Sequence, residues 1–220
     1  MRSRPTSPVA LGLLASVLAG IGLVAWLSWV PSPSARYFPP NVRHGFVSTY
    51  DPPTNRLEVT ADSGDGQSYA ALASDPSLAR PEVFYQGPSE AAYRAQRPFA
   101  SWLAWALGLG QPGAVPYLLA LIAVVGVGAF VGTAAALAKR LGRDPQLSLL
   151  LIVAPGAVAD LKWLCPDVLG AGLALGGYLL WTRSNRRVWP AVALFTMATL
   201  TRETLLVVPA VIALDALPSA

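Results

Sequence analysis

The chain has one cysteine and one histidine in 220 residues. Cys165 alone excludes an intramolecular disulfide, and in its apolar surroundings it is expected to pack rather than react. His44 alone rules out His-pair zinc sites and argues against a Ser-His-Asp triad. No Walker-type phosphate loop occurs, so nothing supports a pump driven by ATP. Charge is also scarce, at 13% of residues. No basic stripe interleaved with aromatics is present, which leaves no reason to expect a nucleic-acid partner.

What the chain has in excess is apolar sequence. Hydrophobic residues make up 54% of it, and the mean hydropathy is +0.47. Val9 to Val30 is 22 residues without a charge, and Val115 to Ala138 is 24. Each reaches the roughly 20 residues needed to cross about 30 Å of hydrocarbon. Leu147–Ala159, Val168–Trp181, Val188–Leu200 and Thr204–Leu214 are shorter apolar runs, either buried helices or spans completed by semi-polar flanks. Most glycines lie inside these runs, where small residues let helices approach. The expected fold is all-α: a polytopic helical membrane protein of about four to six spans in contact with membrane lipids. A secretory signal is the alternative for the first run, with Arg2 and Arg4 as its basic region and Pro33-Ser-Ala35 as a weak cleavage site. Its 22 apolar residues exceed the usual 7–15 or so, which favours a retained anchor.

Basic residues set the expected orientation. Arg2 and Arg4, then Lys139, Arg140 and Arg143, then Arg183, Arg186 and Arg187 are eight basic residues accompanied by one acid, Asp144. Between residues 31 and 97 six basic residues meet seven acids. The clusters, and with them the N-terminus, are therefore expected on the cytoplasmic side and the long polar segment outside. This topology accounts for the net charge of +4. Three regions follow: a cytoplasmic stub and first span (1–30), an extracytoplasmic loop (31–114) and a helical bundle (115–220). Leu147 to Trp181 is expected to go out and back, with Asp160 to Asp167 at its tip. Val188 to Leu214 is either one helix carrying Thr201-Arg-Glu203 at mid-membrane or two short helices with that tripeptide at an outer apex. The cost of an isolated ion pair in the bilayer centre favours the apex.

Within the loop, Phe46–Tyr50 and Arg56–Thr60 alternate around Asp51-Pro-Pro-Thr-Asn55, the pattern of a small β-hairpin. An acidic patch, Asp62-Ser-Gly-Asp65-Gly-Gln-Ser-Tyr69, precedes a short helix expected over Ser68–Ser74 and ended by Asp75-Pro76. Pro98–Gly110 is expected to be a juxtamembrane helix lying at the interface, with Trp102 and Trp105 on one side.

Each charged group has a plain reading beside a chemical one. Asp62 and Asp65 are either turn and capping residues or a site carboxylate pair, with Gly64 and Gly66 opening Asp65 to a ligand. They could also share a divalent cation, although two carboxylates in a loop are weak evidence for one and no metal site is assigned. Arg94 and Arg97 either anchor the helix to headgroups or grip a lipid phosphate. Asp160, Lys162 and Asp167, with Arg202 and Glu203, are either surface charges or part of the same site.

Three elements in order, Asp65-Gly-Gln-Ser-Tyr69, then Tyr93-Arg-Ala-Gln-Arg97, then Thr201-Arg-Glu203, resemble the GT-C type of bacterial polytopic membrane glycosyltransferase, in the branch linked to cell-surface glycopolymers. The resemblance covers roughly residues 62–214. It implies an enzyme of the bacterial plasma membrane that moves a sugar from a polyprenyl-phosphate donor to a glycan or glycolipid acceptor at the outer face. Asp65 matches the position of the first-loop acid that acts as catalytic base on the attacking hydroxyl. Arg94, Arg97 and Arg202 would stabilise the phosphate leaving group, Glu203 would orient Arg202, and Asp167 matches a hairpin acid. Asp62, Gln67 and Tyr69 would complete substrate binding.

The sequence departs from that pattern where aromatic positions after the Gln are reduced to Ser68-Tyr69-Ala70 and where the hairpin over 36–61 resembles an insertion. Enzymes of this type usually continue for several more spans beyond the position of Ala220, so the resemblance implies a truncated relative, a fragment or one part of a split enzyme. A non-catalytic membrane subunit or scaffold of a glycan assembly system, with a partner membrane subunit, is the alternative; a transporter fragment is a third.

Overall fold

The computed structural model describes residues 6–29, 48–51, 56–59, 65–79, 88–183 and 188–215. Asp62, the 52–55 turn, Pro33–Ala35, Arg186 and Arg187 lie outside the described residues, as do the side chains of Asp65 and Gln67. The described chain is dominated by helix. Pro8–Trp29 (α1) and Val115–Arg140 (α5) are the long elements. Between them come strands Ser48–Asp51 (β1) and Arg56–Val59 (β2), paired antiparallel with Ser48 opposite Val59. Three short helices follow: Asp65–Ser74 (α2), Pro88–Arg94 (α3) and Phe99–Leu107 (α4). After α5 come a 3-10 segment at Pro145–Val153, then Pro155–Trp163 (α6), Asp167–Trp181 (α7) and Val188–Thr201 (α8). A second 3-10 turn at Glu203–Leu206 leads into Val207–Asp215 (α9).

Among the described residues two helical stretches are long and apolar enough to cross a membrane, Pro8–Ala25 and Pro112–Arg140. A third crossing exists if the 3-10 segment and α6, bent by 51° relative to each other, form one span. The bend is dictated by Pro155, which lacks a backbone N–H and forces Ala154 into extended geometry (φ −61°, ψ 139°). The apolar run Leu147–Ala159 is therefore two unlike pieces rather than one helix.

Small residues bring the long helices together. A Cβ on Gly12 would lie 2.8 Å from the carbonyl oxygen of Gly128 and 3.2 Å from the Cα of Gly132, so the α1 and α5 backbones touch. Without a hydrophobic force between helices in lipid, this close van der Waals packing is what association relies on. Gly20 facing Val124 shows that the two run antiparallel. Gly126 meets Leu169 and Gly172 meets Phe130, so α7 runs parallel to α5. Gly177 against Phe195 and Gly170 against Thr201 make α8 antiparallel to α7. Arg140 Nη1 donates to Thr182 Oγ1 at 2.6 Å, and Gln146 Nε2 donates to Thr6 Oγ1 at 3.3 Å. The ends of α5 and α7, with their basic residues, thus share one end of the bundle with the start of α1.

The opposite half of α5 is covered by the short helices. Tyr69, Ala70 and Ala73 of α2 pack with Ala100 and Ala104 of α4 against Val115, Leu119, Ile122 and Ala123 of α5. On its other side α2 gives Ala71 and Leu72 to Ala91 of α3. Helix α2 buries Ser68 to Ala73 without a break, which its Tyr-Ala-Ala-Leu-Ala run permits. It starts at Asp65, three residues before the expected Ser68, and ends at Ser74. Helix α4 buries Ala100, Ser101 and Ala104 and turns Trp102 (50% exposed) and Trp105 (45%) outward.

The expected apex at Thr201-Arg-Glu203 takes a different form. Helix α8 stops at Thr201 and Arg202 is extended (φ −152°, ψ 119°), but α9 does not pack back along α8. Thr201 is level with Gly170, and Leu169 is level with Gly126. At 1.5 Å per residue that level is about 17 Å along α5 from Val115, near its middle.

Candidate functional site

Four segments far apart in sequence meet at this level. The first is the start of α2. A Cβ on Gly66 would collide with the carbonyl oxygen of Trp163, so the residue after Asp65 must be glycine for α2 to seat on the α6–α7 turn. Asp65 is the first residue of α2 and Gln67 the third. Tyr69 is buried, and its carbonyl oxygen accepts from Ser101 Oγ at 2.9 Å, which ties α2 to α4.

The second segment is the α3–α4 junction. Arg94 and Arg97 are only 7% and 6% exposed. The Arg94 guanidinium lies 5.6 Å from the Tyr69 ring centre and 5.2 Å from that of Tyr93. Arg97 stacks over Tyr93 at 4.6 Å, and its Nη2 donates to the Tyr93 hydroxyl. Such cation–aromatic contacts contribute most where water is excluded. Arg97 also reaches across the molecule: its Nε donates to Glu203 Oε2 and its Nη2 to Oε1, a bidentate ion pair. The hydrogen bonds to Glu203 hold the Arg97 proton more tightly than usual, against the opposing effect of burial. Burial pushes the Tyr69 hydroxyl above its ordinary pKa, while a hydrogen bond with Arg97 pulls the other way.

The third segment is the α6–α7 turn. Leu164 adopts the left-handed conformation (φ 53°, ψ 38°) that reverses the chain, and Cys165 N–H donates to the Asp160 carbonyl at 3.0 Å. Asp160 is buried, and its Oδ2 accepts from the Val168 N–H. It therefore caps α7 from the preceding helix, where Pro166 supplies no capping side chain.

The fourth segment is the α8 break. Arg202 forms an ion pair with Asp167, the first residue of α7. Adjacent residues thus bind opposite partners: Arg202 holds α7, and Glu203 holds the α3–α4 junction.

Beside these pairs lies an open cavity of about 710 Å³. Its walls are largely apolar, with Phe130, Ala157 and Ala171 among them, and Asp160, Asp167 and Arg202 supply the charge. The apolar walls suit a hydrocarbon chain, and the one guanidinium on them, that of Arg202, is paired with Asp167. Among the described residues no three His, Cys, Asp or Glu side chains cluster to hold a metal ion.

Of the residues singled out in the sequence, Tyr69, Arg94, Arg97 and Glu203 form one cluster, and Asp167 and Arg202 form the adjoining pair. Gly66 brings the backbone at Asp65 and Gln67 onto the α6–α7 turn at Trp163 and Leu164. Sequence reasoning missed Tyr93 as the residue that holds Arg97. Its four-residue spacing from Arg97 is the signal that could have found it. It also missed Asp160 as a cap, which no local spacing reveals. No protein-family model matches the chain, no curated protein matches its sequence, and no solved structure matches its fold.

Proposed function

We propose that the chain is an integral membrane glycosyltransferase of the GT-C type. It would transfer a sugar from a polyprenyl-phosphate donor to a cell-envelope glycan or glycolipid at the outer face of the bacterial plasma membrane. One observation carries this reading: the segments holding Asp65, Arg97, Asp167 and Arg202 converge beside a largely apolar cavity with charge on its wall. A lipid-linked sugar needs both halves of that arrangement, apolar walls for the prenyl chain and cations for the phosphate. In the proposed reaction Asp65 removes the proton of the acceptor hydroxyl as its oxygen bonds to the anomeric carbon. The bond from that carbon to the phosphate oxygen breaks, and Arg94, Arg97 and Arg202 stabilise the charge the phosphate gains. Gln67 and Tyr69 belong to the same subsite. Helices α7, α8 and α9 and the bent pair bring the proposed spans to four to six, with the basic end cytoplasmic.

The test is genetic and chemical. Delete the gene, restore it as wild type, Asp65→Asn or Arg202→Gln, and profile surface glycans at matched protein level. Loss of a glycan that only wild type restores supports transfer through these residues. Full restoration by Asp65→Asn removes the base and turns the assignment to a non-catalytic subunit or scaffold.

A transport reading draws on one observation of its own: the helix interruptions at Ala154 and Arg202, with Arg202 near the middle of α5, resemble the broken helices of transporters. Movement of a fluorescent prenyl-phosphate sugar between leaflets of vesicles containing the purified protein, without sugar transfer, would favour it.

A further inference from the structure

Resting on the phosphate-site reading above, we propose that Glu203 is an internal stand-in for the ligand's phosphate. Its carboxylate occupies the Arg97 guanidinium until the prenyl phosphate monoester that sugar transfer leaves behind displaces it, and displacement releases the segment Arg202–Leu206. The two partners are held very differently. Arg97 is fixed: its side chain is 8% exposed, it stacks on the Tyr93 ring at 4.6 Å, and it bonds the Tyr93 hydroxyl. Glu203 is not fixed in this way. Its side chain is 41% exposed, and it opens a four-residue 3-10 turn preceded by one extended residue.

The geometry of the pair favours exchange as well. Arg97 presents Nε and Nη2 to two carboxylate oxygens, the same edge that takes two oxygens of a phosphate. The prenyl phosphate left after sugar transfer is a monoester and carries nearly two charges near neutral pH, against one on Glu203 and one on the diester donor. The pair is bidentate, so displacement needs the extra charge and the extra oxygen of the incoming anion, while the exposed side of Glu203 leaves a route for it. The neighbouring residue makes the exchange consequential. Arg202 pairs with Asp167 on the cavity wall, so a shift of Glu203 acts directly on the wall against which the prenyl chain would lie. Arg97 is the receptor in this scheme, and Glu203 is a positioning residue that sets when it is available.

The experiment uses the full chain in lipid nanodiscs, with farnesyl phosphate and inorganic phosphate as separate probes. Glu203→Gln keeps the shape and removes the competing charge. It is expected to bind farnesyl phosphate about tenfold more tightly than wild type, whereas Arg97→Gln loses at least about tenfold. Equal or weaker binding by Glu203→Gln, with Arg97→Gln still impaired, overturns the exchange and leaves the phosphate site standing. Undiminished binding by Arg97→Gln removes the phosphate site and the exchange with it.

A second readout needs no variant and decides the matter if Glu203→Gln does not fold. On adding farnesyl phosphate to wild type, amide hydrogen exchange over residues 203–206 is expected to rise; no change or a fall overturns the proposal. If inorganic phosphate reproduces the rise, the headgroup alone displaces Glu203. If only farnesyl phosphate does, the prenyl chain is needed to deliver it. Both patterns support the exchange.

Discussion

The two ends of α7 are held by opposite kinds of contact. Toward Trp181 it packs through Gly172, Gly176 and Gly177 against Phe130, Thr133, Leu194 and Phe195, with no charge between them. At Asp167 it is held by an ion pair to Arg202 and by the buried Asp160 cap. Glycine packing is steric: it has one good register and no alternative partner. Ion pairs can change partners, because any anion of the right shape suits a guanidinium. One half of the bundle is therefore suited to staying fixed, and the other to responding to a ligand.

Substitutions in the two halves test that contrast. The largest expected effect is at Gly66→Val, which forces α2 off the Trp163 carbonyl and is expected to destabilise by roughly 3 kcal/mol. A thermal-unfolding scan in detergent, with surface-glycan restoration beside it, measures both the stability and the loss of the site. Gly128→Val pushes α1 from α5, where the added carbon meets Ser16 and the Gly12 carbonyl. It is expected to destabilise by about 2–3 kcal/mol yet leave binding of farnesyl phosphate per folded molecule unchanged. A loss of binding there would break the division between the halves.

Asp160→Ala removes the cap on the Val168 N–H and is expected to destabilise by about 1–2 kcal/mol, with faster amide exchange over the first turn of α7. For the cross-molecule ion pair, a double-mutant cycle of Arg97→Met and Glu203→Gln is expected to return a coupling of about 1 kcal/mol. A coupling near zero would mean that the pair does not hold the α8 break. The smallest effect belongs to Trp102→Ala with Trp105→Ala. These are exposed and change stability in detergent by about 0.5 kcal/mol or less, while weakening the seating of α4 in vesicles as read by fluorescence quenching depth.

Much of the scaffold was legible because its signals are local. Charge-free runs over Val9–Val30 and Val115–Ala138 mark α1 and α5. Asp75-Pro76 marks the end of α2, and Trp102 with Trp105 marks the outward face of α4. The membrane-crossing character of those two long helices follows from composition alone. The site was legible as a set of charged residues but not as a set of pairs. Arg97 and Glu203 are 106 residues apart, and nothing near either one names the other. The same holds for Gly66 and Trp163, whose contact depends on α2 being buried among α3, α4 and α5. The 3-10 geometry over Pro145–Val153 and the level of Arg202 halfway along α5 were not legible either. The first depends on how that segment packs on α1 and α5 and the second on the glycine contacts among α5, α7 and α8, which hydrophobic periodicity does not encode.

The starts of three helical segments, at Asp65, Asp167 and Glu203, lie within this one cluster. Aligned peptide dipoles give each α-helical start roughly half a positive charge, concentrated on main-chain N–H groups that have no partner in their own helix. This part of the field is carried by the backbone and survives any change of side chain. It offsets part of the negative charge that Asp160 and Asp167 place on the cavity wall, so an incoming anion depends on the main chain as well as on the arginines.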